Sequence, residues 1–156
     1  MTTFNEQLQN LWHRYERENG GVPSPPIQVV EWAMRRGLLE APRYDPKEAL
    51  AEAMARALRE EYRTDPSGRR YRVNHAVRIT RNGVQTSLWA ELDSAPRDHM
   101  IKAFAQRRRQ VVGDCVQLKT DVDVYNDKHK EVEPIQVVLD FTDDVAEAII
   151  DRGNAA

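Results

Sequence analysis

The stretch that decides the fold is Val73-Asn74-His75-Ala76-Val77-Arg78-Ile79-Thr80-Arg81-Asn82-Gly83-Val84-Gln85-Thr86-Ser87-Leu88-Trp89-Ala90-Glu91-Leu92. Tyr71, Val73, Val77 and Ile79 alternate with Arg72, Asn74, Arg78 and Thr80. That is the period of a half-buried strand, whose successive side chains point to opposite faces. Asn82-Gly83 is the preferred two-residue type I′ turn, because both of its positions need a positive φ. With those residues as the loop, Arg81 faces Val84 and the register follows. Ile79 lies opposite Thr86, Val77 opposite Leu88, His75 opposite Ala90 and Val73 opposite Leu92. The apolar positions of both strands then share one face, and a one-residue slip would turn them all to the other. The second face carries Arg72, Ala76, Arg78 and Trp89.

Working upstream, three helices precede the hairpin. Thr3-Phe4-Asn5-Glu6 is a capping box, and Phe4, Leu8, Leu11, Trp12 and Tyr15 follow at helical spacing until Asn19-Gly20-Gly21. Ser24 is expected to cap a second helix, with Pro25 at its first position and Ile27, Val30, Ala33 and Met34 as its buried stripe. Leu38 and Leu39 in the following link are expected to pin it to the core. Asp45-Pro46-Lys47-Glu48 starts a third helix with Leu50, Met54, Ala57 and Leu58 as its apolar face, and Thr64-Asp65-Pro66-Ser67-Gly68 ends it.

Downstream, Ser94-Ala95-Pro96 opens a long helix. Ile101, Phe104, Arg108, Val111, Cys115, Leu118, Val122 and Tyr125 recur at alternating spacings of 3 and 4, a heptad seam with Arg108 as its polar position. A charged linker from Asn126 to Glu133 leads to Ile135, Val137, Leu139 and Phe141, which alternate and predict a strand. Thr142 is expected to cap a short last helix carrying Val145, Ala148 and Ile149. The fold class is α+β. A winged-helix-like three-helix body with a hairpin spans 1–93, and a long helix for dimerisation or packing spans 94–126. An acidic linker, short strand and terminal helix span 127–156.

Three helices followed by a tight hairpin resemble the winged-helix superfamily in element order over roughly residues 3–93. The resemblance implies a third helix in the DNA major groove, a hairpin on the phosphate backbone and a long helix that dimerises, so that a two-fold dimer reads two half-sites. The third helix itself argues against reading bases. Its polar residues are Lys47, Glu48, Glu52, Arg56, Arg59, Glu60 and Glu61, net negative and without Ser, Thr, Asn or Gln to address base edges.

Charge is unevenly spread. The 156 residues carry a net charge of −2, yet residues 63–109 sum to +7 and residues 110–156 to −7. The basic middle either meets an anionic polymer or is covered by the acidic tail, within a chain or between copies. Arg63, Arg69, Arg70, Arg72, Arg78 and Arg81 lie within nineteen residues, opposed only by Asp65. Arginine suits phosphate because its planar fork donates two parallel hydrogen bonds. Arg69, Arg70, Arg72, Arg78 and Arg81 are therefore the candidate nucleic-acid contacts. Trp89 either stacks a base or an arginine, or packs beneath the last strand. In Arg107-Arg108-Arg109 the central residue reads as a register device on the seam, and its neighbours as solvated.

No catalytic constellation is recognisable, and the expectation is a non-enzymatic protein without a cofactor or metal. His13, His75, His99 and His129 lack metal-ligand spacing, and His75 reads as a satisfied core histidine. Asp121-Val122-Asp123 with Asn126 and Asp127 lacks the Gly and Glu of a calcium loop. Cys115, the single cysteine, excludes an internal disulfide and reads as a packing residue on the seam. No apolar run reaches the roughly 18 residues of a membrane span, and the N-terminus lacks a signal-peptide layout, so a cytoplasmic location is expected. Two functions follow. The first is double-stranded DNA binding, as in a dimeric transcriptional regulator that contacts phosphates through the basic hairpin. The second is a protein–protein assembly module that homo-oligomerises through the long helix and binds no nucleic acid.

Overall fold

The computed structural model describes residues 1–154. Among them the chain is mixed α+β, with five helices and two antiparallel hairpins. It divides into two units, Met1–Ala49 and Leu50–Ala156.

In the first unit, α1 (Phe4–Asn19) starts at the capping box. The Thr3 hydroxyl accepts from the Glu6 N–H at 3.1 Å, and the Glu6 carboxylate accepts from the Thr3 N–H at 2.7 Å. The helix ends at Gly20, whose φ of 73° is open to glycine without steric cost. In α2 (Pro26–Arg35) Pro25 is the cap residue and no side chain caps the helix. The Ser24 hydroxyl instead donates to the Val22 carbonyl at 2.9 Å. The buried face is also rotated from the expected one. Val29, Trp32 and Ala33 are buried with Tyr15, while Ile27 and Met34 are exposed. Trp32 decides this, because its ring has the most apolar area to remove from water and meets Tyr15 edge-on at 5.4 Å. Leu38 and Leu39 pack on this core as expected.

The division between the units falls within α3 (Pro46–Glu60), whose start is held by the Asp45 carboxylate accepting from the Lys47 N–H at 2.9 Å. A short hairpin, β1 (Tyr62–Thr64) and β2 (Arg70–Arg72), follows around the expected turn, and Tyr71 and Arg72, read from the sequence as the start of the long hairpin's first strand, belong to β2 instead. Its loop is closed by Asp65, which accepts from the Arg69 N–H at 2.8 Å. β3 (Asn74–Arg81) and β4 (Val84–Glu91) then pair in the register read from the sequence, Arg81 opposite Val84 through His75 opposite Ala90. Asn82 and Gly83 have φ of 51° and 77°, as the type I′ turn requires.

α4 (Arg97–Lys128) is 32 residues long and packs chiefly on β3. Val73, His75 and Val77 from the strand side and Ala103 from the helix are buried, while Leu88 on β4 is 38% exposed. Gln106 fastens the two elements. Its Oε1 accepts from the Arg78 N–H at 2.8 Å and its Nε2 donates to the Arg78 carbonyl at 2.9 Å, so one side chain occupies the backbone pair that a further strand would take.

The expected strand at Ile135–Phe141 is corrected: residues 133–141 form no regular element and belong to no sheet. Alternating apolar residues favour an extended chain with one apolar side, but a strand also needs a backbone partner. Here the Asn126 amide stands in for one. It donates to the Ile135 carbonyl and accepts from the Ile135 N–H, both at 2.9 Å. Leu139 and Phe141 come to lie beside Val112 and Val116. α5 (Thr142–Asn154) is capped from Asp140, not by Thr142 as expected: one Asp140 oxygen accepts from the Thr142 N–H and hydroxyl at 3.1 and 2.8 Å. Among the described residues no helix is long and apolar enough to cross a membrane.

Candidate functional site

The polar face of the β3–β4 hairpin is where basic residues converge. Arg78, Ala76 and Asn74 on β3 share it with Ser87 and Trp89 on β4, as strand alternation dictates. Arg59 reaches it from the last turn of α3, Arg72 from β2, and Arg107 with Gln106 and Gln110 from α4. Together they line a depression of about 130 Å³. Trp89 is half-buried in it, and the Arg59 guanidinium lies 5.5 Å from the centre of its ring.

The charges here are unmatched. Arg59, Arg72, Arg78 and Arg107 form no ion pair among the described residues, and no carboxylate lines the depression. The nearby Glu61 is already engaged. It accepts from the buried Asn74 amide at 2.7 Å and lies 3.7 Å from Arg63. A second, more open depression shares Arg78, Gln106 and Gln110 with the first and adds Arg109, Thr80 and Gln85. The two form one basic strip along the seam between hairpin and helix.

His75 reports the local field. It is buried, with its ring edge-on to Phe104 at 5.4 Å. Its Nε2 lies 2.9 Å from the Arg72 carbonyl, which can only accept, so Nε2 carries the proton. Burial holds its pKa below the ordinary imidazole range; the Arg72 carbonyl works against this, and the positive charges of Arg107 and Arg72 reinforce it. His99 donates likewise to the His75 carbonyl at 2.8 Å. Both histidines are structural, and no group of three metal-ligating side chains occurs among the described residues.

The five arginines singled out in the sequence separate into two sets. Arg72 and Arg78 enter the strip. Arg69 is tied to Asp65 at 2.6 Å, Arg70 lies 4.2 Å over the Tyr62 ring, and Arg81 flanks the turn. Among the described residues none of the acidic side chains from Asp114 to Asp151 forms an ion pair with a hairpin arginine. Sequence reasoning missed Arg59 and treated Arg107 and Arg109 as solvated. Arg59 was hidden in a helix whose net charge is negative, and Trp89 opposite Ala76 was the signal that a long side chain had room there.

The seam residues take a different position. Ile101, Phe104, Val111, Leu118 and Tyr125 are 43–56% exposed, and Cys115 and Val122 are half-buried. Arg108, Val111 and Cys115 border an apolar groove of about 540 Å³ between α4 and the Leu139–Phe141 segment. Arg108 thus faces the groove, while Arg107 and Arg109 face the basic strip. No family model, no curated protein and no solved structure matches the chain.

Proposed function

We propose that the protein binds double-stranded DNA without catalysing a reaction, contacting phosphates through Arg59, Arg72, Arg78, Arg107 and Arg109. The observation that carries this reading is the convergence of arginines from four elements on one strip with no carboxylate among them. Exposed guanidiniums without counter-charges attract an anion, and phosphate matches their fork. A small-molecule site is mostly apolar, whereas both depressions of the strip are lined mainly by arginines and polar side chains. Cationic groups spread along a strip suit a polymer backbone. In the winged-helix resemblance β3 and β4 take the place of the wing. The acidic α3 contributes Arg59 to the phosphate contacts and does not read bases.

The test is fluorescence anisotropy of labelled random duplex DNA at two salt concentrations. The reading expects affinity to fall with salt at a log–log slope of about −0.9 per phosphate contacted. R59A/R72A/R78A/R107A is expected to weaken binding at least tenfold, while R69A/R70A/R81A changes it little. Absence of binding by the wild type at low salt refutes the reading. The exposed apolar groove on α4 favours a second reading, an assembly module that binds no nucleic acid, which that negative result would leave standing.

A further inference from the structure

We propose that α4 pairs antiparallel with α4 of a second copy of this chain, about a two-fold axis at Gly113. The seam Ile101, Phe104, Arg108, Val111, Cys115, Leu118, Val122, Tyr125 has the spacings 3, 4, 3, 4, 3, 4, 3, which read the same in both directions. Reversing one helix about Gly113 sets Val111 level with Cys115 of the second copy, Phe104 level with Val122 and Ile101 level with Tyr125. Every seam residue meets a seam residue, as an isologous contact requires.

Three further observations select a second copy as the occupant. The first is charge. Apart from Arg107 and Arg109 on the basic strip, the N-terminal half of α4 carries Arg97, Lys102 and Arg108 against Asp98, and its C-terminal half carries Asp114, Asp121, Asp123 and Asp127 against two lysines. Antiparallel pairing sets the basic half on the acidic half, whereas parallel pairing sets like on like. Arg108, level with Leu118 of the second copy, then lies within one helical turn of its Asp121.

The second is position. The apolar groove takes in Arg108, Val111 and Cys115, the seam residues next to the proposed axis. Leu139 and Phe141 join the seam as its flank. The third is area. The chain exposes 13351 Å². A compact 18.0 kDa monomer exposes about 8,000 Å², and even two separately compact units of that mass about 10,000 Å². The surplus exceeds the roughly 800 Å² that a specific interface removes from each partner.

Cys115 makes the orientation testable. In the antiparallel pair the two copies of Cys115 are offset by four residues, about 6 Å along the axis in addition to the interhelical spacing, beyond the roughly 7 Å that a disulfide tolerates. The same offset separates residue 111 from its copy, whereas 111 and 115 are level. On mild oxidation the wild type and V111C/C115S are expected to give no covalent dimer, and V111C in the wild-type background is expected to give one in high yield. Sedimentation should give twice the chain mass for the wild type and a single chain for V111E, which folds because Val111 is 56% exposed. A monomeric wild type at tens of micromolar overturns the proposal. So does ready cross-linking of Cys115 alone, the signature of parallel pairing, or failure of V111C to cross-link.

Discussion

At the scale of single residues, His75 links the fold to the basic strip. It is 4% exposed, donates from Nε2 to the Arg72 carbonyl and sits in the positive field of Arg107 and Arg72. Burial first, then those charges, lower its pKa below 6.5. The unfolded chain takes up a proton near pH 6.5 that the folded chain refuses, so stability is full above that pH and falls as the pH drops towards the folded pKa. Urea unfolding at pH 7.5 and pH 5.5 should therefore give a larger loss for the wild type than for H75Q, which keeps a donor for the Arg72 carbonyl but does not titrate. An equal loss in both would mean that His75 is not the group responsible. The same physics provides a sensor for the site. An anion held by Arg72 and Arg107 cancels part of the field, and the His75 imidazole should titrate at higher pH when duplex DNA is bound, which proton NMR of the ring resolves. Arg59 could not be found by such local reasoning. Its partner Trp89 is thirty residues away, and only the folded hairpin sets the ring beneath the guanidinium.

At the scale of elements, what was legible in the sequence is what short-range rules determine. The β3–β4 register was readable to the residue because a two-residue loop and a period of two leave one solution. G83A should cost about 1 kcal/mol in hairpin stability, since Gly83 sits at φ 77°, where a Cβ is strained; thermal unfolding of the variant measures it. The long helix was legible for the same reason, as it follows from local rules within one element. β1 and β2 were not, because three residues each are too few to display a period. The 135–141 segment was misread because its alternation is indistinguishable from a strand's, and its partner is a side chain. Asn126 carries that difference. N126A removes both of its hydrogen bonds to Ile135, each worth about 1 kcal/mol. Amide exchange across residues 133–141 should rise several-fold while the amides of β3 stay protected. Unchanged exchange in that segment would mean that the apolar contacts of Leu139 and Phe141 hold it without the clamp.

At the scale of the whole molecule, the charge dipole and the uncovered apolar surface pull towards association by different physics, and this separates the two proposals experimentally. Phosphate contacts by arginines release counterions, so DNA affinity must fall steeply with salt. The α4 seam is mostly apolar, so pairing of two copies must survive salt that abolishes DNA binding, losing only the part contributed by Arg108 and its acidic neighbours. Pairing also couples folding to concentration. A partner that binds only the folded chain adds stability that grows with its concentration, about 1.4 kcal/mol for each tenfold increase. For a chain of this length that shifts the melting temperature by several degrees. The wild type at 1 and 100 micromolar in 0.5 M salt should therefore melt at clearly different temperatures, and V111E at the same temperature. Because Val111 is exposed in the single chain, its change to Glu costs little folding stability of its own, so the lost concentration dependence isolates the contact between copies. A wild-type melting temperature that ignores concentration would mean that α4 of a second copy does not cover the groove, whatever the outcome with DNA.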